Sequence, residues 1–141
     1  MRLTARQPTE AELAKAMSNK PVYKVVRVIG DGDLKSLWVR GTREEPLHIE
    51  VMGKQMSIFT LTYEEDKLSS NGKYGIWCCK TEEAAAYQVR ANGNGLCAVF
   101  IAYPIGKLIE TPRGWKKVGI VLYPSIILGE QVAELIGGIW S

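Results

Sequence analysis

The chain has 141 residues, 46% hydrophobic and 23% charged, with a net charge of +3 and a pI near 8.8. That make-up suits one folded domain and excludes a disordered chain, which lacks the apolar residues to build a core. The basic surplus is mild, with its densest clusters at Arg40/Arg43 and Arg113/Lys116/Lys117, below the footprint of a dedicated nucleic-acid binder.

Thr9-Glu10-Ala11-Glu12 has capping-box spacing, in which the Thr9 hydroxyl and the Glu12 carboxylate each accept from the other's backbone. It predicts a helix to about Ser18, stopped by Asn19 to Pro21, with a thin apolar stripe of Leu13, Ala16 and Met17. Residues 1–20 read as an N-terminal helical arm and 21–141 as a single domain.

From Val22 the hydrophobic period becomes two. "VYKVVRVIG" predicts a strand with Tyr23, Val25 and Arg27 on one face and Lys24, Val26 and Val28 on the other. "DGD" at Asp31 to Asp33 predicts a hairpin turn into "LKSLWVRG". Two more short strands are expected around Gly53-Lys54, then a polar loop over Lys67 to Lys73 and a strand in "YGIWCCK".

Thr81 caps a second helix, with Glu82 and Glu83 favourable in its first turn. Ala84, Tyr87 and Ala91 are expected to pack inward, and "NGNG" at Asn92 to Gly95 to end the helix through left-handed positions. "LCAVFIAY" predicts a central strand buried on both faces. "KLIETPRGWKKVGIVLY" predicts a hairpin turning at Pro112 to Gly114, and "GEQVAELIGG" a short closing helix. The expected class is α+β: a mostly antiparallel sheet, whole or split, with one central helix and short terminal helices.

The chemistry is narrowed mainly by what is missing. Three cysteines and one histidine, His48, give no zinc spacing, so no metal site is expected. Neighbours Cys78 and Cys79 point to opposite faces of a strand, Cys97 could face either, and reduced thiols are expected. Nothing in the sequence pairs His48 with a nucleophile. "GDGD" and "NGNG" lack the lysine and hydroxyl of a phosphate loop and read as turn signals. Glu44/Glu45, Glu64/Glu65/Asp66 and Glu82/Glu83 are sequence neighbours whose side chains diverge.

Tyr23, Arg27, Trp38, Arg40 and Tyr63 on one sheet surface would make a weak single-stranded nucleic-acid binder. Core packing accounts for the same aromatics and is favoured. The longest apolar runs, such as Leu96 to Ile105, are about half the ~20 residues of a membrane span. With no apolar leader in "MRLTARQPTEAELAKAM", a cytoplasmic location away from membranes is expected.

Residues 73–110, centred on "GIWCCKTEEAAAYQVRANGNGLCAVFIAYPIGKLIE", resemble part of the ADP-ribosyltransferase core. Gly75-Ile76-Trp77-Cys78 would be the family's first strand of this unit, Ala84 and Tyr87 its helix, and Leu96 to Lys107 the next strand. The resemblance implies an NAD or nucleotide site beside Arg27, Trp77 and Tyr87, with Glu110 as the catalytic carboxylate. Trp77 stands where the family has a ring-stacking tyrosine, and its histidine-glycine pair and serine-threonine-serine element are missing.

The sequence therefore reads first as a small binding or interaction module without catalytic machinery or cofactor, and second as a divergent ADP-ribosyltransferase-like domain taking NAD. Trp140, next to the last residue, is the expected contact for a protein partner or a second copy in a homodimer.

Overall fold

A computed structural model describes residues 5–30, 32–37, 47–51, 54–58, 62–71, 75–93 and 95–137, with backbone pairing alone for 47–51 and 54–58. Its first elements are α1 (Glu10–Met17), β1 (Val22–Ile29), β2 (Asp33–Ser36), β3 (Leu47–Val51), β4 (Lys54–Ile58), β5 (Thr62–Tyr63) and β6 (Leu68–Ser70). Then come β7 (Ile76–Cys79), α2 (Glu82–Asn92), β8 (Gly95–Ile105), α3 (Arg113–Lys117), β9 (Ile120–Tyr123) and β10 (Ser125–Gly137).

Among the described residues the architecture is α+β, with an antiparallel eight-stranded sheet and a separate β3–β4 hairpin. The main path runs β5-β2-β1-β8-β10-β6. One edge of β1 lies along β8, from Val22 opposite Ala102 to Arg27 opposite Cys97. The other edge is shared: Tyr23 faces Cys79 of β7, while Val26 to Ile29 face β2. The sheet therefore forks at β1, and β9 continues the branch beyond β7.

Alternation along β8 divides the core. Ala98, Phe100 and Ala102 pack with Val22, Val26, Tyr63, Ile76 and Cys78 on one face. Cys97 and Val99 pack with Val25, Trp77, Cys79, Ala85 and Val89 on the face covered by α2. Both faces are buried, which is why this strand reads as continuous apolar sequence. Cys78 and Cys79 fall on opposite sides, as the period of two requires, and all three cysteines are free.

The helix caps form as the spacing predicts. Thr9 and Glu12 complete the capping box of α1, and the Thr81 hydroxyl accepts from the Ala84 amide at 3.1 Å. Arg6 clasps the Glu12 carboxylate at 2.8 and 2.6 Å, holding its pKa down at about 2. Arg6 also bridges to Leu68, and Ala16 packs with Leu68 and Ile127, so α1 is seated on the sheet. Of its apolar stripe Ala16 alone is buried; Leu13 and Met17 stay exposed.

Four expectations are corrected. Residues 125–137, read at their end as a closing helix, form β10, because the edge of β8 supplies backbone partners along one side, from Ser125 to Leu128 and, past two register slips, from Ala133 to Gly137. Part of the predicted polar loop, Leu68–Ser70, is β6, recruited by Ser125 to Ile127. The hairpin after Lys107 closes through a bridge of Ile109 with Leu122, but its tip contains α3. The buried positions of α2 are Ala85, Gln88 and Val89, whereas Tyr87 is 46% exposed and Ala91 is exposed. The helix stop differs in detail: Gly93 is extended and the left-handed position is Gly95. The β1–β2 turn has the expected chemistry, with Gly30 and Gly32 at positive φ.

Candidate functional site

The most unusual polar feature of the core is Lys24 of β1. Its neighbours Val22 and Val26 pack inward on the same face, so alternation carries the lysine into the interior, where it has no solvent exposure. Nζ donates to the Trp77 carbonyl at 2.8 Å and sits 4.1 Å from the Trp77 ring centroid and 5.4 Å from that of Tyr63. The aromatic faces attract the ammonium through their quadrupoles, but no carboxylate partners it among the described residues. Burial pushes its pKa down from 10.5 to about 8, with Cys78 and Cys79 pulling weakly the other way.

The groups around it stay neutral. Burial pushes the Cys78 thiol up to about 11 and the Cys79 thiol up to about 12, and raises Tyr63 well above its ordinary value. Among the described residues the buried Tyr63 hydroxyl has no hydrogen-bond partner. Chemically this is a poor reactive centre: the thiols are protonated near pH 7 and no surface of the amine is open to a substrate. No three His, Cys, Asp or Glu side chains gather as a metal-binding group among the described residues.

The residues singled out in the sequence are placed as follows. Arg27 is half-buried, its Nε donating to the Ser36 carbonyl at 3.1 Å. Trp77 is 9% exposed and packs with Leu122 and Ile109 on the α2 side of the sheet. Glu110 is exposed just after the Ile109 bridge. Tyr87 lines a shallow hollow of about 490 Å³ between α2 and the α3–β9 turn, with Thr81, Glu83 and Lys117. A smaller hollow of about 260 Å³ has Lys20, Lys80 and Tyr123 around a floor of Val22 and Val121. Of the four residues, only Tyr87 lines either hollow.

The aromatic and basic surface proposed for nucleic acid is divided by the sheet. Tyr23 packs on the α2 side, whereas Tyr63 is buried in the opposite core. Trp38, Arg40, the His48 side chain and the Trp140 tail lie outside what is described.

The remaining feature is an edge. β10 pairs with β8 from Ser125 to Leu128, at Gln131 and from Ala133 to Gly137, whereas β6 covers its other side only from Ser125 to Ile127. Backbone bonds from Asp66 and to Lys67 reach Leu128. From Gly129 to Gly137, no strand among the described residues pairs with that side. The register against β8 slips between Leu128 and Ala133, and beyond it Glu134 and Ile136 lie opposite Ala98 and Leu96. Val132, Ile136 and Leu96 are 37%, 70% and 41% exposed. The sequence reading missed this edge because residues 131–136, Q-V-A-E-L-I, have a helical rather than an alternating hydrophobic pattern.

The fold is thus a forked antiparallel α+β sheet with a buried cationic core and, among the described residues, a long stretch of β10 paired by strands on one side alone. No protein-family model, curated protein or solved structure matches the chain.

Proposed function

We propose that this chain is an interaction module that takes an extended segment of another protein along the free side of β10. The observation that carries this reading is the stretch from Gly129 to Gly137, whose free side no strand pairs among the described residues and which presents exposed Val132 and, opposite Leu96, exposed Ile136. Main-chain groups on such an edge give affinity to an added strand, and alternate side chains give specificity. Natural sheets usually protect long edges with bulges and charges because an open edge recruits strands. Here the register slip and Glu134 moderate the edge, yet two large apolar side chains remain in the open.

The test is selection of linear peptides displayed against the full chain, followed by N-methylation of each amide of an enriched peptide in turn. Strand addition predicts that methylation weakens binding at every second residue and that Ile136→Ser weakens all enriched peptides. Enriched peptides indifferent to both changes would overturn the reading, as would a selection yielding none.

A further inference from the structure

We infer that the segment taken by β10 carries a lysine or arginine opposite Glu134, with apolar residues two places to either side. The inference rests on the edge-pairing reading of β10.

Glu134 lies between Val132 and Ile136, and all three are exposed. No ion pair engages its carboxylate among the described residues. The β8 residues opposite this stretch, Leu96 to Phe100, carry no charge, so the neighbouring strand does not offset it. Exposed Glu130, on the same strand, adds to the negative field. A strand laid alongside would bring its own side chains within about 5 Å of these, where opposite charges attract and like charges destabilise.

About a two-fold axis, aligning Val132 of one copy with Ile136 of the other sets Glu134 against Glu134, and sliding toward the start of the strand sets Glu134 against Glu130, so these registers of a second copy bring like charges together. A strand with a central cation between two apolar residues satisfies all three positions.

The experiment measures anisotropy of three labelled peptides on the full chain, identical but for lysine, serine or glutamate at the centre of a valine-threonine-X-threonine-valine core. The expected order is lysine over serine over glutamate, with about 1.5- to fivefold at each step, shrinking as salt rises. Glu134→Lys should reverse the order. Equal binding of all three, abolished by Ile136→Ser, would overturn the charge inference and leave strand addition standing. Absence of binding by any of them would overturn both. Light scattering giving twice the chain mass, reduced to one chain by Ile136→Ser, would assign the edge to a second copy and overturn the inference.

Discussion

One residue, Trp77, gives Lys24 both its π-face, 4.1 Å from Nζ, and its hydrogen-bond acceptor, the main-chain carbonyl at 2.8 Å. The charge is held by a ring and a peptide dipole rather than by a carboxylate. Such a site costs stability, because neither partner replaces the hydration of an ammonium.

The pH dependence follows from the sign of the shift. Below about pH 8 the amine is protonated in both folded and unfolded chains, and the folded chain carries the full desolvation cost. Between pH 8 and 10.5 the folded chain releases its proton first, so the cost fades as the pH rises. Cys78, Cys79 and Tyr63 act oppositely, because their folded pKa values are raised and the unfolded chain ionises first. Lys24→Met is therefore expected to stabilise the fold by about 1–3 kcal/mol near pH 7, the gap over the parent narrowing toward pH 10.5. Urea titrations of both chains across that range check it. A variant less stable than its parent near pH 7 would mean that the Trp77 contacts outweigh desolvation.

Tyr63→Phe removes a buried hydroxyl that has no partner among the described residues. Deleting an unsatisfied polar group relieves its desolvation cost, so the variant should match or exceed the parent's stability by up to about 1 kcal/mol. A fall in melting temperature would show that the hydroxyl is satisfied in solution.

Gly75 and Gly32 separate two kinds of glycine requirement. Both have positive φ, but a Cβ at Gly32 meets open space, whereas one at Gly75 would lie 2.9 Å from Ile109 Cδ1 and 3.2 Å from Leu122 Cβ. Gly32→Ala is expected to cost about 1 kcal/mol, and Gly75→Ala about 2–4 kcal/mol by adding a clash to the same strain. Equal costs in denaturant titrations would contradict the packing around Ile109.

Cys78, Cys79 and Cys97 are all buried. A thiol reagent should label none of them at an appreciable rate in the folded chain, and all three once it is denatured. Rapid labelling of any one in the native chain would place it at the surface.

The features legible in the sequence are those fixed by near neighbours. Thr9 with Glu12, and Thr81 with Ala84, meet within one helical turn, and the glycines of the β1–β2 turn require only each other and the strands they join. Burial of both faces of β8 showed directly as composition. Partners distant in the chain were hidden. Lys24 reads as one polar residue on an alternating strand, and nothing local shows that Trp77 and Tyr63 enclose it. Residues 130–136 favour a helix by composition, and only the waiting side of β8 makes them a strand. On α2 the buried Gln88, accepting from Asn92, turns the packed face away from Tyr87.

The fork of β1 has a temporal consequence. This strand is synthesised before its neighbours Cys79 and the run from Cys97 to Ala102. Early on, only the hairpin with β2 can close, leaving Val22, Lys24 and Val25 without their final surroundings. Assembly of the sheet must therefore await most of the chain, and refolding should be slow and governed by these distant pairings rather than by the helices.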